Sequence, residues 1–134
     1  MTDWVPFAEG KYLVQRAFLV TSADTAVTLE KAIIDVYTGA GGRRRMRGSC
    51  PVETLLIVEI HEEHDELDLL MDLGGAFKYV LRKPILQAGK VFSPNVKSLL
   101  HFTPAAPLEP VDAADFEARV ARLKIISAES LNAS

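Results

Sequence analysis

The stretch LDLLMDLGGAFKYVL, residues 67–81, decides the fold class, because its apolar residues fit two secondary structures. Small and apolar residues recur in it at helical spacing. Acids crowd residues 62–66, and two basic residues and a proline follow the stretch, which suits the dipole and the end of a helix. The alternative takes the strict alternation from Leu67 to Leu73 as a strand, with the preceding EEHDE as a hairpin turn. We favour one helix over residues 65–82, because Leu, Asp and Met are ordinary or poor strand formers.

Two glycines, Gly74 and Gly75, lie inside this predicted helix and would each cost it about 1 kcal/mol. We expect them to allow close packing against a strand. A kink, or a helix that ends at Leu73 with a strand from Phe77, is the alternative.

The remaining chain alternates predicted strands and helices. Residues 11–20 (KYLVQRAFLV) are rich in aromatic and β-branched residues and indicate a buried strand. Residues 22–39 carry apolar residues at helical spacing between a polar cap and a glycine and predict a helix, although the same letters tolerate a strand. Residues 54–60 (TLLIVEI) indicate a central strand covered on both faces. Residues 89–102 fit a broken strand or a strand and a helical turn, and Asp112 begins an amphipathic helix.

This order of elements predicts an α+β fold, a single domain in which a small mixed β-sheet is packed by two or three helices. A small α/β three-layer fold is the alternative. We expect a compact body over residues 1–103 and a proline-rich linker over 104–110. A C-terminal amphipathic helix over 111–134 would then pack on the same domain.

The composition excludes several classes of protein. The 134 residues carry 15 Lys and Arg against 18 Asp and Glu, a balance that does not suit a protein coating duplex nucleic acid. An apolar fraction of 49% indicates a folded chain, and a mean hydropathy of +0.13 hints at apolar surface buried against another copy. The start of the chain does not resemble a secretory signal, and no apolar run is long enough to span a bilayer. We therefore expect a cytoplasmic protein with no membrane partner.

The stretch GGRRRMRG, residues 41–48, is the main candidate binding element. Glycine lets a backbone approach a ligand closely, and guanidinium groups can fork onto phosphate oxygens. Its spacing matches neither the P-loop GxxxxGK[ST] nor the dinucleotide motif GxGxxG. A solvated loop that pairs with acids of a neighbouring subunit is the favoured interpretation, ahead of anion binding and of a catalytic arginine. The candidate anion- or partner-binding residues are Arg43, Arg44, Arg45 and Arg47.

Acids accumulate after this loop, since residues 52–73 contain eight Asp or Glu and no Lys or Arg. Such a field would repel a long polyanion unless the two regions lie on opposite sides, so nucleic-acid binding is possible but not favoured. Pairing of the basic loop of one copy with the acidic segment of another is the simpler explanation of this charge pattern, although exposed ion pairs contribute only about 0–1 kcal/mol each to the free energy of association.

Histidine and cysteine offer weaker candidates. His61 and His64 share a helical face beside acids and are candidate metal ligands, with the distant His101 as a possible third. The spacing is not that of the HExxH proteases. Cys50 is the only cysteine, so no intrachain disulfide can form, and a buried thiol is favoured over a reactive one.

The leading hypothesis is a non-enzymatic, homo-oligomeric interaction or assembly module with no cofactor, open to a protein partner or an anionic ligand. The first alternative is an anion, nucleotide or single-stranded nucleic-acid binding protein that uses the four arginines. The second is a small metal-dependent enzyme that uses His61 and His64.

Overall fold

The computed structural model of the chain describes residues 4–53, 56, 66–88 and 97–126. They form a mostly β structure of two sheets, with one α-helix, α1 (Ala113–Arg122), on the outside of the second sheet. The strands are β1 (Gly10–Leu13), β2 (Arg16–Thr21), β3 (Thr25–Thr28), β4 (Ile33–Thr38), β5 (Arg44–Glu53), β6 (Leu67–Asp72), β7 (Lys78–Leu81), β8 (Ile85–Ala88), β9 (Lys97–Thr103), β10 (Glu109–Pro110) and β11 (Lys124–Ile125).

The strands divide into a five-stranded sheet, in the order β1-β4-β5-β9-β8, and a six-stranded sheet, in the order β10-β7-β6-β2-β3-β11. Neighbouring strands are antiparallel, except that β11 runs parallel to β3. The longest strand, β5, is the middle strand of the five-stranded sheet. The arginine-rich stretch therefore begins a central strand.

The inner faces of the two sheets share one apolar core. Gly48 lies on the inner side of β5, where a β-carbon would come within 2.0 Å of the ring of Phe102. Glycine at this position makes room for an aromatic side chain from the next strand. The fully buried members of this core include Leu19, Ile34, Leu69, Met71, Leu81, Leu100 and Phe102.

The outer face of the six-stranded sheet carries a second, smaller core under α1. Phe116, 1% exposed, is the buried residue of the helix and packs with apolar side chains from four strands. We call the sheet residues of this region the covered face; its buried apolar members are Phe18, Val20, Ala26, Leu70 and Val80. The molecule therefore has three layers, sheet on sheet on helix.

The structure corrects the predicted fold class. The α+β packing of two or three helices on a small mixed sheet is wrong, and so is the α/β alternative, because the described chain is mostly β with two sheets. The helix over residues 65–82 is also wrong: β6 and β7 form an antiparallel hairpin there. Gly74 and Gly75 occupy its turn with φ of 103° and 56°, a conformation that favours glycine.

The alternation of apolar residues in this stretch correctly indicated a strand. Leu67, Leu69 and Met71 all point into the inner core. Leu70 points the other way, onto the covered face. Since both faces of β6 are buried, its sequence reads as a nearly continuous apolar run, which also resembles an amphipathic helix.

The predicted helix over residues 22–39 is likewise wrong and consists of β3 and β4. In β4, Ile34 and Val36 are buried while Ile33 and Asp35 are exposed, which is the two-residue period of a half-covered strand. Residues 11–20, expected to be one strand, contain parts of two strands, β1 and β2.

The C-terminal helix begins as predicted, but it ends at Arg122 and is followed by β11, so the helix expected over residues 111–134 is too long. Asp112 caps α1 by accepting a hydrogen bond from the backbone N–H of Ala114 at 3.1 Å. In the stretch expected to be a linker, Leu108 is buried and its N–H donates to the carbonyl of Trp4, while β10 pairs with β7. The central strand expected over 54–60 lies outside the described residues except for Leu56.

Within the described part of the chain, no helix is both long enough and apolar enough to cross a membrane.

Candidate functional site

The turn before β5 explains the glycines of the arginine-rich stretch. The N–H of Gly39 donates to the carbonyl of Arg43 at 2.8 Å, and the chain reverses through a 3-10 turn over Ala40–Gly42. Gly41 and Gly42 have φ of 83° and 74°, which glycine adopts without strain. These glycines build the β4–β5 hairpin.

The side chains of these arginines point in different directions, because successive side chains of a strand point to opposite faces of the sheet. Arg45 and Arg47 point outward and are exposed, while Arg44 points inward and donates through Nη1 to the carbonyl of Phe7 at 2.7 Å. The guanidinium of Arg47 lies 5.8 Å from the ring centre of Tyr37, a cation–π distance. Instead of one basic loop, the arginines are divided between two sides of a sheet.

Three of the arginines line a cleft of about 620 Å³ at this end of the molecule. The β4–β5 hairpin forms one side, and the N-terminal segment and the adjoining ends of β8 and β9 form the rest. No Asp or Glu is among the described residues that line it. Its lining combines cations with apolar and aromatic groups, chiefly Trp4, Tyr37, Arg43, Arg44, Arg45 and Ile85. Arg47 does not line the cleft.

The outer side of the five-stranded sheet, here called the open face, carries a group of exposed apolar side chains. Leu13 is 68% exposed, Ile33 44%, Ile85 53% and Leu99 49%. They come from β1, β4, β8 and β9, so they are spread across the whole width of the sheet. The remaining described side chains of the open face are mostly polar or charged and include Lys11, Asp35, Arg45, Arg47, Ser49, Glu53 and His101.

The register arranges the open face in rungs. Leu13 is opposite Ile33, Ile33 is opposite Ser49, and Ser49 is opposite His101. The next rung toward the end of β5 pairs Pro51 with Leu99. Along β5 itself the outward residues run from two cations, Arg45 and Arg47, to one carboxylate, Glu53.

Three of the four described acids of residues 52–73 are paired within their own chain; Glu53, at the end of β5, is the fourth. Glu66 contacts Lys83 at 3.0 Å, and Asp68 contacts Arg82 at 3.0 Å. Asp72, 4% exposed, belongs to a larger network on the covered face. These acids therefore stabilise the β6–β7 hairpin and its surroundings. Residues 57–65, which hold four more acids of this segment, lie outside the described residues.

The network around Asp72 is the most buried electrostatic feature described. Its carboxylate is 2.8 Å from the guanidinium of Arg16, 3.4 Å from the ammonium of Lys78 and accepts from the N–H of Gly74 at 2.8 Å. Burial alone would raise the pKa of Asp72, but these hydrogen bonds and charges outweigh it and hold the pKa below its ordinary value. Arg16 also binds Glu117 of α1, which raises the pKa of Arg16 and keeps the guanidinium charged.

The metal and thiol candidates give no site in the described chain. His61 and His64 lie outside the described residues, and His101 is half-buried on the open face. Residues 4–53, 56, 66–88 and 97–126 contain no group of three His, Cys, Asp or Glu that could hold a metal. Cys50 is buried, as predicted, and its thiol donates to the carbonyl of Glu30 at 2.9 Å.

The chain matches no known protein-family model, and no curated protein or solved structure is detectably similar to it.

Sequence reasoning missed the open face and the aromatic side of the cleft. A signal for the face was present: IIDVYT and RRRMRGSCPVE both alternate with a period of two, which is typical of strands with one face uncovered. No sequence signal placed Trp4 in one cleft with the arginines, because these residues are about forty positions apart in the chain.

Proposed function

We propose that the protein is a homo-oligomeric interaction module whose open face stacks on the open face of a second copy. The observation that carries this proposal is the set of four large apolar side chains exposed on one sheet face. No described element covers that face, whereas α1 covers the outer face of the other sheet. A flat face of mixed apolar and charged residues suits the sheet-on-sheet packing of β-sandwiches.

Charge along β5 favours one orientation. The proposed two-fold axis lies between the two stacked sheets, runs perpendicular to the strands and crosses β5 at Ser49. It reverses the direction of β5 in the second copy. Arg45 then lies opposite Glu53 of the second copy, and Glu53 lies opposite its Arg45. Each residue is four positions from Ser49, so the two pairs lie about 13 Å from the axis on either side. This axis runs along the rung of Ser49, so each strand lies over the same strand of the second copy and the two sheets overlap across their whole width.

The apolar residues fit the same axis. Leu13 and Ile33 lie on the rung of Ser49, so each would meet its own counterpart across the axis. Leu99 lies one rung to one side of Ser49, and Ile85, paired with Thr103, lies one rung to the other. The two-fold operation brings Leu99 of one copy to the rung of Ile85 in the other. The face is therefore self-complementary, as a two-fold interface requires.

The expected dimer is weak. Five strands spaced about 4.8 Å apart, in contact over six to eight residues, give a footprint of roughly 500 Å² per copy. This is below the roughly 800 Å² per partner of a standard stable interface, so we expect dissociation in the micromolar range. Measurements must therefore extend from low to high micromolar protein.

Charge reversal tests both the association and its orientation. We expect Arg45→Glu and Glu53→Arg each to weaken self-association about tenfold, because each places like charges opposite each other in both pairs. The double variant Arg45→Glu, Glu53→Arg restores attraction and should recover most of the affinity. Analytical ultracentrifugation over a concentration series measures all three.

Arg47→Glu provides the matched control. In the proposed orientation Arg47 faces Pro51 of the second copy, so Glu53→Arg should not rescue Arg47→Glu. A native chain that stays monomeric at every concentration would refute the function itself. A native dimer without rescue in the Arg45 and Glu53 pair would refute only the orientation.

A further inference from the structure

The arginine cleft lies at one end of the open face and shares Arg45 and Ile85 with it. It joins a cationic side, formed by the β4–β5 hairpin, to an apolar side that includes the one tryptophan of the chain. Three arginines and no Asp or Glu are among the described residues that line the cleft, in a protein of net charge −3. Local cationic charge of this kind attracts a small anion, while the overall charge disfavours a long polyanion.

The cationic side is held by its own hairpin. The carbonyl of Phe7 fixes the Arg44 guanidinium at 2.7 Å. The side chain of Arg45 lies across Gly39, where a β-carbon would come within 2.3 Å of its Nε. The carbonyl of Arg43 closes the turn by accepting from Gly39. Groups that are ordered before binding lose less entropy when a ligand arrives, which favours affinity.

The apolar side offers a flat contact. Trp4 is 44% exposed, and its carbonyl accepts a hydrogen bond from Leu108 at 3.0 Å, which fixes the backbone that carries the indole. Tyr37 and Ile85 also line the cleft. An indole and a phenol at a cleft wall favour a planar group by stacking.

We propose that this cleft binds a small organic anion that carries a planar ring, with the acidic group on the arginines and the ring against Trp4. The volume of about 620 Å³ lies within the range of about 300–1,000 Å³ typical of small-molecule sites. It is far more than an inorganic phosphate fills. A mononucleotide is a representative of this chemical class.

Trp4 provides a direct signal for binding, because it is the one tryptophan of the chain and lines this cleft. The probe is adenosine monophosphate, compared with adenosine, which keeps the ring without the charge, and inorganic phosphate, which keeps the charge without the ring. At a protein concentration at which the chain is monomeric, we expect the nucleotide to shift the Trp4 emission in a saturable, salt-sensitive manner. Adenosine and phosphate should each bind at least about tenfold more weakly, since each lacks one half of the contacts.

The variant Arg43→Gln, Arg45→Gln tests the arginines, and Arg47→Gln is its control, because Arg47 is nearby but does not line the cleft. We expect the double variant to lose at least about tenfold in affinity, and the control to stay within about twofold of the native chain. Circular dichroism confirms that both are folded.

Three results would overturn the proposal: no emission shift with millimolar nucleotide, equal binding of adenosine and nucleotide, or equal losses in the double variant and the control. The first means that the cleft takes no such ligand. The second means an apolar contact without an anion site, and the third means general attraction to the basic surface. None of these results bears on self-association, which is measured without ligand.

Discussion

The outer faces of the two sheets differ in what lies on them. On the covered face, Phe18, Leu70 and Val80 are buried by a helix of the same chain. On the open face, residues of the same character, such as Leu13 and Ile33, remain exposed. Exposed apolar residues alone do not identify an interface, because single ones are common on protein surfaces. The open face differs because its exposed apolar residues are spread over a whole sheet face, and no described element covers that face.

The charges on the two faces differ in the same way. Asp72 on the covered face lies between Arg16 and Lys78 on one rung, and both cations also lie within 6 Å of the Phe116 ring centre. On the open face, no described carboxylate lies within ion-pair distance of Arg45 or Arg47. Asp72 on the covered face is therefore paired with two cations of its own chain, whereas Arg45 and Arg47 on the open face have no ion pair with a described carboxylate.

The largest expected effect comes from uncovering the covered face. Phe116→Ala removes the one fully buried side chain of α1 and should lower the free energy of unfolding by about 3–5 kcal/mol. Chemical denaturation at low protein concentration measures the loss. Phe116→Leu keeps most of the buried volume and should cost clearly less. A loss below about 1 kcal/mol for the alanine variant would mean that α1 does not hold this face in solution.

A somewhat smaller effect is expected at the charge network. Asp72→Asn leaves Lys78, 7% exposed, without its carboxylate and should cost about 3 kcal/mol at neutral pH. The lowered pKa of Asp72 determines how its contribution to the free energy of unfolding depends on pH. The stability from Asp72 is present above the ordinary pKa of 3.8 and is lost as pH falls through the lower folded-state pKa.

The difference in unfolding free energy between the native chain and Asp72→Asn should therefore shrink below pH 3.8. Denaturation curves at neutral and acid pH provide the comparison. A difference that stays constant with pH would show that Asp72 contributes through packing and not through its charge.

The two faces also explain how far the sequence could predict the fold. Strands of the covered face are buried on both sides, so β2 lacks the alternation that identifies a strand, and in β6 the buried Leu70 interrupts it. That is why residues 67–81 fitted a helix. In strands of the open face, such as β4, buried and exposed residues do alternate. Some of the exposed residues are also apolar, and Ile33 in particular gave the apolar residues of this stretch a helical spacing.

The C-terminal helix was predictable because its signals are local. Asp112 caps it, and Phe116 with the following apolar residues forms one stripe against the sheet. The cleft and the arrangement of strands across the open face depend on sheet order and register, which are set by contacts between distant segments and cannot be read from one sequence. The arginines could be named as candidates, and the two-residue period of the following residues was the signal for their division between two sides of a strand.

The smallest expected effect on stability lies on the open face. Leu13→Thr with Ile33→Thr places a β-branched residue in each strand and removes apolar surface that is already partly in water. At low concentration we expect the unfolding free energy to change by no more than about 0.5–1 kcal/mol, far less than for Phe116→Ala. Self-association should weaken strongly, because both residues lie on the rung of the proposed axis and each substitution is present in both copies.

Denaturation and ultracentrifugation on the same samples separate these two outcomes. A large loss of stability would mean that Leu13 and Ile33 hold the five-stranded sheet together, and the contrast between the two faces would disappear. Unchanged self-association with unchanged stability would move the interface away from this rung. Only a stable, monomeric variant agrees with an open face whose apolar residues serve a second copy, because the same substitutions then leave the fold intact and remove the partner.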